Sequence, residues 1–235
     1  MRLSKFISAS GYTSRRKADR LIEDGFVIVN TEVCRDFSKN IISTDEVIVE
    51  NTLISMQTPK LWLFNKPNGY LCTTNDPAGR KTIYDILPKK LPNLISIGRL
   101  DLNSNGLLLL TNNGELSRYY ELPTNKVVRK YHVDFSGNLI SSQIKSLESG
   151  IFIKGTSYGS IKSKILKKIR NKFTLELSLQ EGKNREIRNI AKHFGWKVIN
   201  LKRIQYGQYF LNKMREGEIK EVKISEKIMS YIEST

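Results

Sequence analysis

Four consecutive leucines, Leu107 to Leu110, form the longest unbroken aliphatic run of the chain and constrain its fold more than any other stretch. A strand through Gly106 to Thr111 has no polar face, so it must lie inside a sheet that is covered on both sides. Asn112-Asn113-Gly114 closes it with turn chemistry. The run falls far short of the ~20 apolar residues that a membrane helix needs. The N-terminus, with Arg2 and Lys5 inside an amphipathic pattern, does not read as a secretory signal. Cys34 and Cys72 lie 38 residues apart with no Cys-x-x-Cys or histidine partner, as suits a reducing cytoplasm rather than a disulfide scaffold or zinc site.

The 235 residues provide one large domain or two modest ones. Leu3, Phe6 and Ile7 recur at helical spacing until Gly11 breaks the pattern. Ser14 is placed to cap a second helix through its hydroxyl, with Ala18, Leu21 and Ile22 as the apolar stripe and Gly25 as a left-handed stop. Phe26 to Asn30 and Asp45 to Val49 read as short strands. A linker is expected near 51–58, so that 1–58 form a small helix-helix-strands domain and 59–235 a second one. The second part adds strands at Leu61 to Phe64, Leu94 to Ile97 and Val127 to Phe135, and a basic hairpin from Ile161 to Leu179. A helix carrying Ile187, Ile190, Ala191 and Phe194 follows, capped by Asn184 and ended by Gly195. The fold class is α+β, on a mixed and largely antiparallel sheet.

The chain carries 39 basic and 23 acidic side chains, a net charge of +16, which points to a polyanionic partner, most simply nucleic acid. Residues 1–58 hold eight basic and eight acidic residues, so the excess belongs to the remainder. Within the neutral part, Arg2, Lys5, Arg15, Arg16, Lys17 and Arg20 face a single acid, Asp19, before residue 23. That patch is a phosphate footprint or a solvated helix face, on charge alone with equal weight. Residues 149–175 contain no acid and carry Lys154, Lys162, Lys164, Lys167, Lys168, Arg170 and Lys172, the strongest signal for RNA contact without sequence preference.

Three segments could carry chemistry. In Gly98-Arg99-Leu100-Asp101, a carboxylate sits in a tight polar loop between two apolar strands; such a loop can hold it rigidly toward a cleft. The alternative is an ordinary turn aspartate, bonded to its own loop or ion-paired with Arg99. Tyr131 shares its strand face with Val133 and Phe135, as a core tyrosine would, or serves as an aromatic plate for a nucleobase. Beyond Glu181-Gly182-Lys183-Asn184, a helix would place Arg185, Arg188 and Lys192 in one stripe, either solvated or aimed at a carboxylate or phosphate. No Gly-x-Gly-x-x-Gly loop is present, which leaves nicotinamide and methyl-donor cofactors unsupported. With two histidines, His132 and His193, and no clustered acids, a metal-dependent nuclease is equally unsupported.

These segments, in this order, resemble the RsuA/RluB/RluE/RluF family of bacterial ribosomal-RNA pseudouridine synthases over nearly the whole chain. Arg2 to Lys5, Ser14 to Ala18 and Val29-Asn30 are similar to an S4 RNA-binding domain, and Phe64-Asn65-Lys66-Pro67 with Gly69 resembles the entry to the catalytic domain. The resemblance implies that Asp101 is the catalytic aspartate, Tyr131 the active-site tyrosine and Arg188 the essential basic residue. RNA contacts are expected from Arg2, Lys5, Arg15, Arg16, Lys17, Arg99, Lys167, Lys168, Lys183 and Arg185. Ser104 and Asn113 depart from the threonine and aspartate usual in the family. The spacing of Tyr206-Gly207 and Gly217 resembles the RluB type, which implies large-subunit ribosomal RNA as target. The implied protein is a cytoplasmic monomer without cofactor or metal that flips a uridine out of ribosomal RNA, in a subunit assembly intermediate or free, and isomerises it. The competing reading is a catalytically silent S4-domain RNA-binding or ribosome-assembly factor.

Overall fold

The first elements follow directly from local chemistry. In the computed structural model, which describes residues 1–233, α1 (Leu3–Ala9) and α2 (Arg15–Glu23) precede β1 (Val27–Val29), β2 (Glu32–Val33), β3 (Val47–Val49) and β4 (Thr52–Ile54). Leu3, Ile7, Ala18, Ile22, Val27, Val29, Val47 and Val49 bury the facing sides of these elements in one core. Gly25 adopts φ +84° after α2, the left-handed stop expected there. Ser14 occupies the N-cap position, but its hydroxyl makes no capping hydrogen bond. The segment 51–58, expected to be linker, instead contributes β4, which pairs with β3 in the register Val49↔Thr52. Glu50 and Asn51, at φ +46° and +65°, make the two-residue turn between them. Both residues are left-handed, as such hairpins demand, and the absence of a glycine hides the signal.

The larger sheet begins with β5 (Leu61–Lys66), β6 (Ile95–Ile97) and β7 (Asn105–Thr111). The helix α3 (Gly114–Glu121) and the strand β8 (Arg129–Ser136) come next, then α4 (Ser141–Ser149), β9 (Ile151–Ile153) and β10 (Thr156–Tyr158). The basic hairpin is β11 (Lys162–Ile169) and β12 (Lys172–Leu179), followed by α5 (Glu186–His193) and β13 (Lys197–Tyr206). β14 (Tyr209–Phe210), β15 (Ile219–Val222) and α6 (Glu226–Glu233) complete the chain. The principal sheet runs β11-β12-β8-β13-β7-β5-β15. The pairs β11–β12, β12–β8, β8–β13 and β5–β15 are antiparallel, whereas β13 and β7 run parallel, with Lys202 and Arg203 opposite Asn105 and Gly106. The fold is α+β.

The leucine run occupies the interior position that its composition demands. All seven residues of β7 are buried, and Leu107 to Leu110 are fully excluded from solvent. Burying each leucine is worth about 1.5–3 kcal/mol, which anchors the strand that follows the Asp101 loop. Gly106 admits no side chain: at φ +97°, a Cβ would lie 2.3 Å from the Arg203 carbonyl oxygen of β13. Beside the sheet, Ile187, Ile190 and Ala191 of α5 pack with Val133, Leu175 and Leu201.

Contacts divide the chain into two compact units, one of Met1–Lys60 with Lys90–Ile95 and Thr111–Gly114, the other of Leu61–Lys89, Ser96–Leu110 and Glu115–Thr235. Among the described residues, no helix is long and apolar enough to cross a membrane.

Candidate active site

The loop between β6 and β7 is held by backbone and side-chain bonds on all sides. Gly98, at φ +65°, donates its N–H to Glu121 Oε1 at the end of α3, at 2.6 Å. Cys72 Sγ lies 3.5 Å from both the nitrogen and the oxygen of Leu100. Gly69 N–H donates to the Leu102 carbonyl at 2.8 Å, and Ser104 N–H to that of Asp101 at 3.0 Å. Beneath the loop, Lys66 is completely buried at the end of β5. Its Nζ donates to the carbonyls of Pro67, Asp101 and Ser104 at 3.1, 3.2 and 2.8 Å. Burial pushes the Lys66 ammonium below its ordinary pKa. Three acceptors nevertheless match the three donors of the protonated form alone.

Asp101 at this loop meets Arg188 on the first turn of α5. The guanidinium Nε donates to Asp101 Oδ2 at 3.2 Å, with the two side chains 16% and 33% exposed. Its Nη2 turns to the loop itself, to the Asn103 carbonyl at 2.7 Å and the Ser104 hydroxyl at 3.0 Å. The fork therefore bridges carboxylate and loop rather than gripping the carboxylate twice. Ser104, which departs from the family's threonine, still supplies the hydroxyl this contact uses. The partner of Asp101 is Arg188, and not its sequence neighbour Arg99.

Both side chains line a cleft of about 910 Å³ that also includes Tyr131, Arg99, Lys183 and Arg185. Tyr131 projects from β8, opposite Leu177 of β12 and Arg203 of β13. It packs against the core beside that sheet, as a core tyrosine does, and also lines the cleft. Arg185 lies outside α5: it is the N-cap, at φ +51°, in place of Asn184. The expected stripe thus loses its first member, and Arg188 and Lys192 remain on the helix. Lys183 is bonded to Glu181 Oε2 at 2.7 Å and the Ser157 carbonyl at 2.6 Å.

Two buried arginines complete the cleft floor, and sequence reasoning passed over both. Arg129 donates to the carbonyls of Val127, Tyr120 and Gln180 and to the Tyr206 hydroxyl, all within 3.2 Å. Arg203 donates from Nε to the Leu107 carbonyl at 2.7 Å, while its Nη2 is buried without a partner among the described residues. Both guanidiniums lie over the Tyr206 ring, 4.8 and 4.6 Å from its centre. A guanidinium so placed on a phenol is held in position by cation–π attraction. The available signal was alternation: Arg129 shares a strand face with Tyr131, and Arg203 with Leu201, where apolar residues would be ordinary.

The remaining expected RNA contacts lie elsewhere. Lys167 and Lys168 are exposed on β11, an edge strand, and do not line the cleft; Lys168 Nζ donates to the Leu139 carbonyl at 3.0 Å. In the N-terminal unit, Arg2 precedes α1, Lys5 lies on it, and Arg15, Arg16 and Lys17 are exposed in the first turn of α2. Three cations at the positive end of a helix oppose its dipole, a cost that a bound anion would offset. Lys17 also lines a surface pocket with Tyr12, Thr13, Arg20, Leu21 and Glu50.

Comparison with known proteins places the chain in a family. Residues 60–193 match RNA pseudouridylate synthase and residues 1–47 match the S4 domain. A protein of Rickettsia felis described as an uncharacterized RNA pseudouridine synthase is 44% identical over 96% of this chain and 99% of its own length. The ribosomal large subunit pseudouridine synthase B of Bacillus subtilis is 32% identical over 94% of this chain and 91% of its own. A crystal structure of a pseudouridylate synthase superimposes with a TM-score of 0.68 at 27% identity, covering 99% of this chain and 98% of the other. The chain belongs to the RNA pseudouridylate synthase family, isomerases that here follow an N-terminal S4 RNA-binding domain.

Proposed function

We propose that the chain isomerises a specific uridine of large-subunit ribosomal RNA to pseudouridine, with Asp101 as the catalytic carboxylate. Residues 1–58 act as the RNA-binding domain and 59–235 as the catalytic domain. The protein works as a cytoplasmic monomer without a cofactor, on ribosomal RNA or a subunit assembly intermediate. The N1–C1′ bond of the uridine breaks, the base turns, and a C5–C1′ bond forms; the proton lost from C5 is balanced by one gained at N1. Nothing else is added or removed. The target base leaves its stack at a cost of a few kcal/mol. Stacking on Tyr131 returns about 1–3 kcal/mol. Asp101 acts at the ribose, as nucleophile or as base, and Arg188 orients it. Arg99, Lys183 and Arg185 meet the flanking phosphates at the cleft, while Arg2, Lys5, Arg15, Arg16, Lys17, Lys167 and Lys168 supply further contacts to the RNA.

The observation that carries this reading is the 3.2 Å contact between Asp101 and Arg188, 87 residues apart in sequence, beside Tyr131 in one cleft. Likeness to the Bacillus subtilis enzyme supports the large-subunit target. The test is Asp101→Asn, assayed for pseudouridine on ribosomal RNA. Product formation should fall about a thousandfold or more, as when a catalytic group is removed. RNA affinity and thermal unfolding should stay near wild type. Turnover within tenfold of wild type would remove Asp101 from the chemistry.

A further inference from the structure

The two arginines of the cleft floor are not equivalent. Arg129 has spent its guanidinium: Nη1 donates to the Val127 and Gln180 carbonyls, and Nη2 to the Tyr120 carbonyl and the Tyr206 hydroxyl. Arg203 is 2% exposed, yet among the described residues only its Nε has an acceptor, the Leu107 carbonyl, and its Nη2 is buried with none. Buried donors are nearly always satisfied, so a guanidinium left open in a cleft points to an acceptor that arrives there. The group has little freedom to find one elsewhere. Its Nε is tied to β7, and its face lies on the Tyr206 ring, 4.6 Å from the centre. Arg203 stands opposite Tyr131 in the β8–β13 ladder, and both line the cleft that holds Asp101 and Arg188. Residues paired in this way project on the same face of a sheet. The side chains of Asp101 and Arg188 are 33% and 16% exposed, whereas Arg203 is closed off almost completely. What reaches Arg203 is therefore the innermost part of the ligand. In a flipped nucleotide that part is the base, since the charged phosphates stay hydrated at the mouth.

We propose that Arg203 is a specificity-determining residue, which reads the flipped base by donating to a carbonyl oxygen of uracil beside the Tyr131 ring. This inference rests on the reaction assigned to Asp101 above. Uracil offers an acceptor, a donor and an acceptor along one edge: O2, N3–H and O4. Cytosine carries an amine in place of O4, and an amine against a guanidinium leaves two buried donors facing each other. The same edge suits the isomerisation. The uracil ring is nearly symmetric about the line through N3 and C6. A half-turn about that line brings C5 to the place of N1 and exchanges O2 with O4. A fixed donor that meets one carbonyl in uridine thus meets the other in pseudouridine. Arg203 holds the base at both ends of the turn and favours neither.

The test uses a synthetic fragment of large-subunit ribosomal RNA centred on the modified uridine, once the wild-type reaction has located it. Sulfur is a poor hydrogen-bond acceptor, so 2-thiouridine and 4-thiouridine at that one position each weaken one carbonyl. Conversion is read by chromatography of the digested nucleosides. With wild-type protein, at least one thio fragment should show kcat/KM lowered about tenfold or more, the usual weight of a hydrogen bond from a charged group. If both are converted within about twofold of the uridine fragment, the proposal is overturned, and that result needs no variant to fold. Arg203→Lys keeps a cation for the Leu107 carbonyl but has no fork to reach beyond it. Its kcat/KM on the uridine fragment should fall about tenfold or more. Its thio penalty should shrink to less than about twofold, because the bond that sulfur weakens is already gone. A penalty as large in Arg203→Lys as in wild type assigns the carbonyl contact to another residue and overturns the proposal, as does wild-type kcat/KM in that variant. Asp101→Asn on the uridine fragment keeps the two readings apart. Activity there refutes the role of Asp101 itself, whereas an inert Asp101→Asn with a wild-type enzyme indifferent to both thio groups refutes only the contact of Arg203.

Discussion

The cations of the cleft and those of the β11–β12 hairpin are the same residue types in opposite circumstances. Lys66, Arg129 and Arg203 are 0%, 7% and 2% exposed, and each is fixed by backbone carbonyls. On β11, Lys162, Lys164, Lys167 and Lys168 are exposed along an edge strand. Buried cations cost desolvation and are kept where they set geometry; exposed ones cost little and supply a field that salt screens. One group should therefore govern whether the reaction occurs, and the other how tightly RNA is held.

Arg188→Lys tests the first half of that contrast most sharply. The guanidinium reaches Asp101 with Nε while Nη2 spans the Asn103 carbonyl and the Ser104 hydroxyl. An ammonium keeps the charge but cannot hold carboxylate and loop in one plane. We expect kcat/KM for pseudouridine formation to fall about a hundredfold, the usual effect of misplacing a reacting group by about 1 Å. RNA affinity should change less than about threefold. If a lysine supports wild-type turnover, charge rather than shape is what the carboxylate requires.

Lys66→Met is the next largest disturbance and should register in stability. It leaves the carbonyls of Pro67, Asp101 and Ser104 without their shared donor. Buried acceptors left unsatisfied cost about 1–3 kcal/mol each, and some will relax toward other partners. A net loss of about 3 kcal/mol lowers Tm by roughly 10 °C in a chain of this size. Thermal unfolding followed by circular dichroism measures it. An unchanged Tm would show that the loop holds its shape without the lysine.

The same contrast separates what the sequence reveals from what it conceals. Periodicity and turn chemistry act over a few residues. The buried run Leu107 to Leu110, the stop at Gly25, the hairpin around Arg170-Asn171 and the apolar stripe of α5 are therefore all legible. β4 is not, because Glu50 and Asn51 supply left-handed backbone without a glycine. The start of α5 shifts by one residue because Arg185 takes the strained N-cap position. Three helices, α3, α4 and α6, pass unread; they are eight or nine residues long and two of them follow turn signals. In the site, the resemblance implies roles for Asp101, Tyr131 and Arg188, but local reading alone favours an ordinary turn aspartate, bonded to its own loop or ion-paired with Arg99. Pairing across 87 residues is decided by how α5 packs on the sheet, which no local pattern encodes. The roles of Lys66, Arg129 and Arg203 are hidden for the same reason: their acceptors are backbone carbonyls, and a carbonyl leaves no mark in a sequence.

The mildest effect should come from the hairpin, and it is diagnostic because it concerns salt rather than rate. Replacing Lys167 and Lys168 together by glutamine removes two charges from an exposed strand and preserves side-chain length. Lys168 gives up its bond to the Leu139 carbonyl, a contact at the surface that glutamine can partly replace. If the strand lies against RNA, each lost cation should flatten the slope of log Kd against log salt by about 0.7 for single strands and 0.9 for duplex. The double variant should therefore lose about 1.4–1.8 from the slope, and bind several-fold more weakly near physiological salt. The loss should be the same on target and non-target RNA, since phosphates carry no sequence. Turnover at saturating RNA should be unaffected, because neither lysine lines the cleft. A slope that does not change removes β11 from the interface and leaves the RNA field to the cleft rim and the N-terminal unit. A change in saturated turnover would break the division more deeply, since it would make exposed charge part of the geometry that Arg188 and Lys66 maintain.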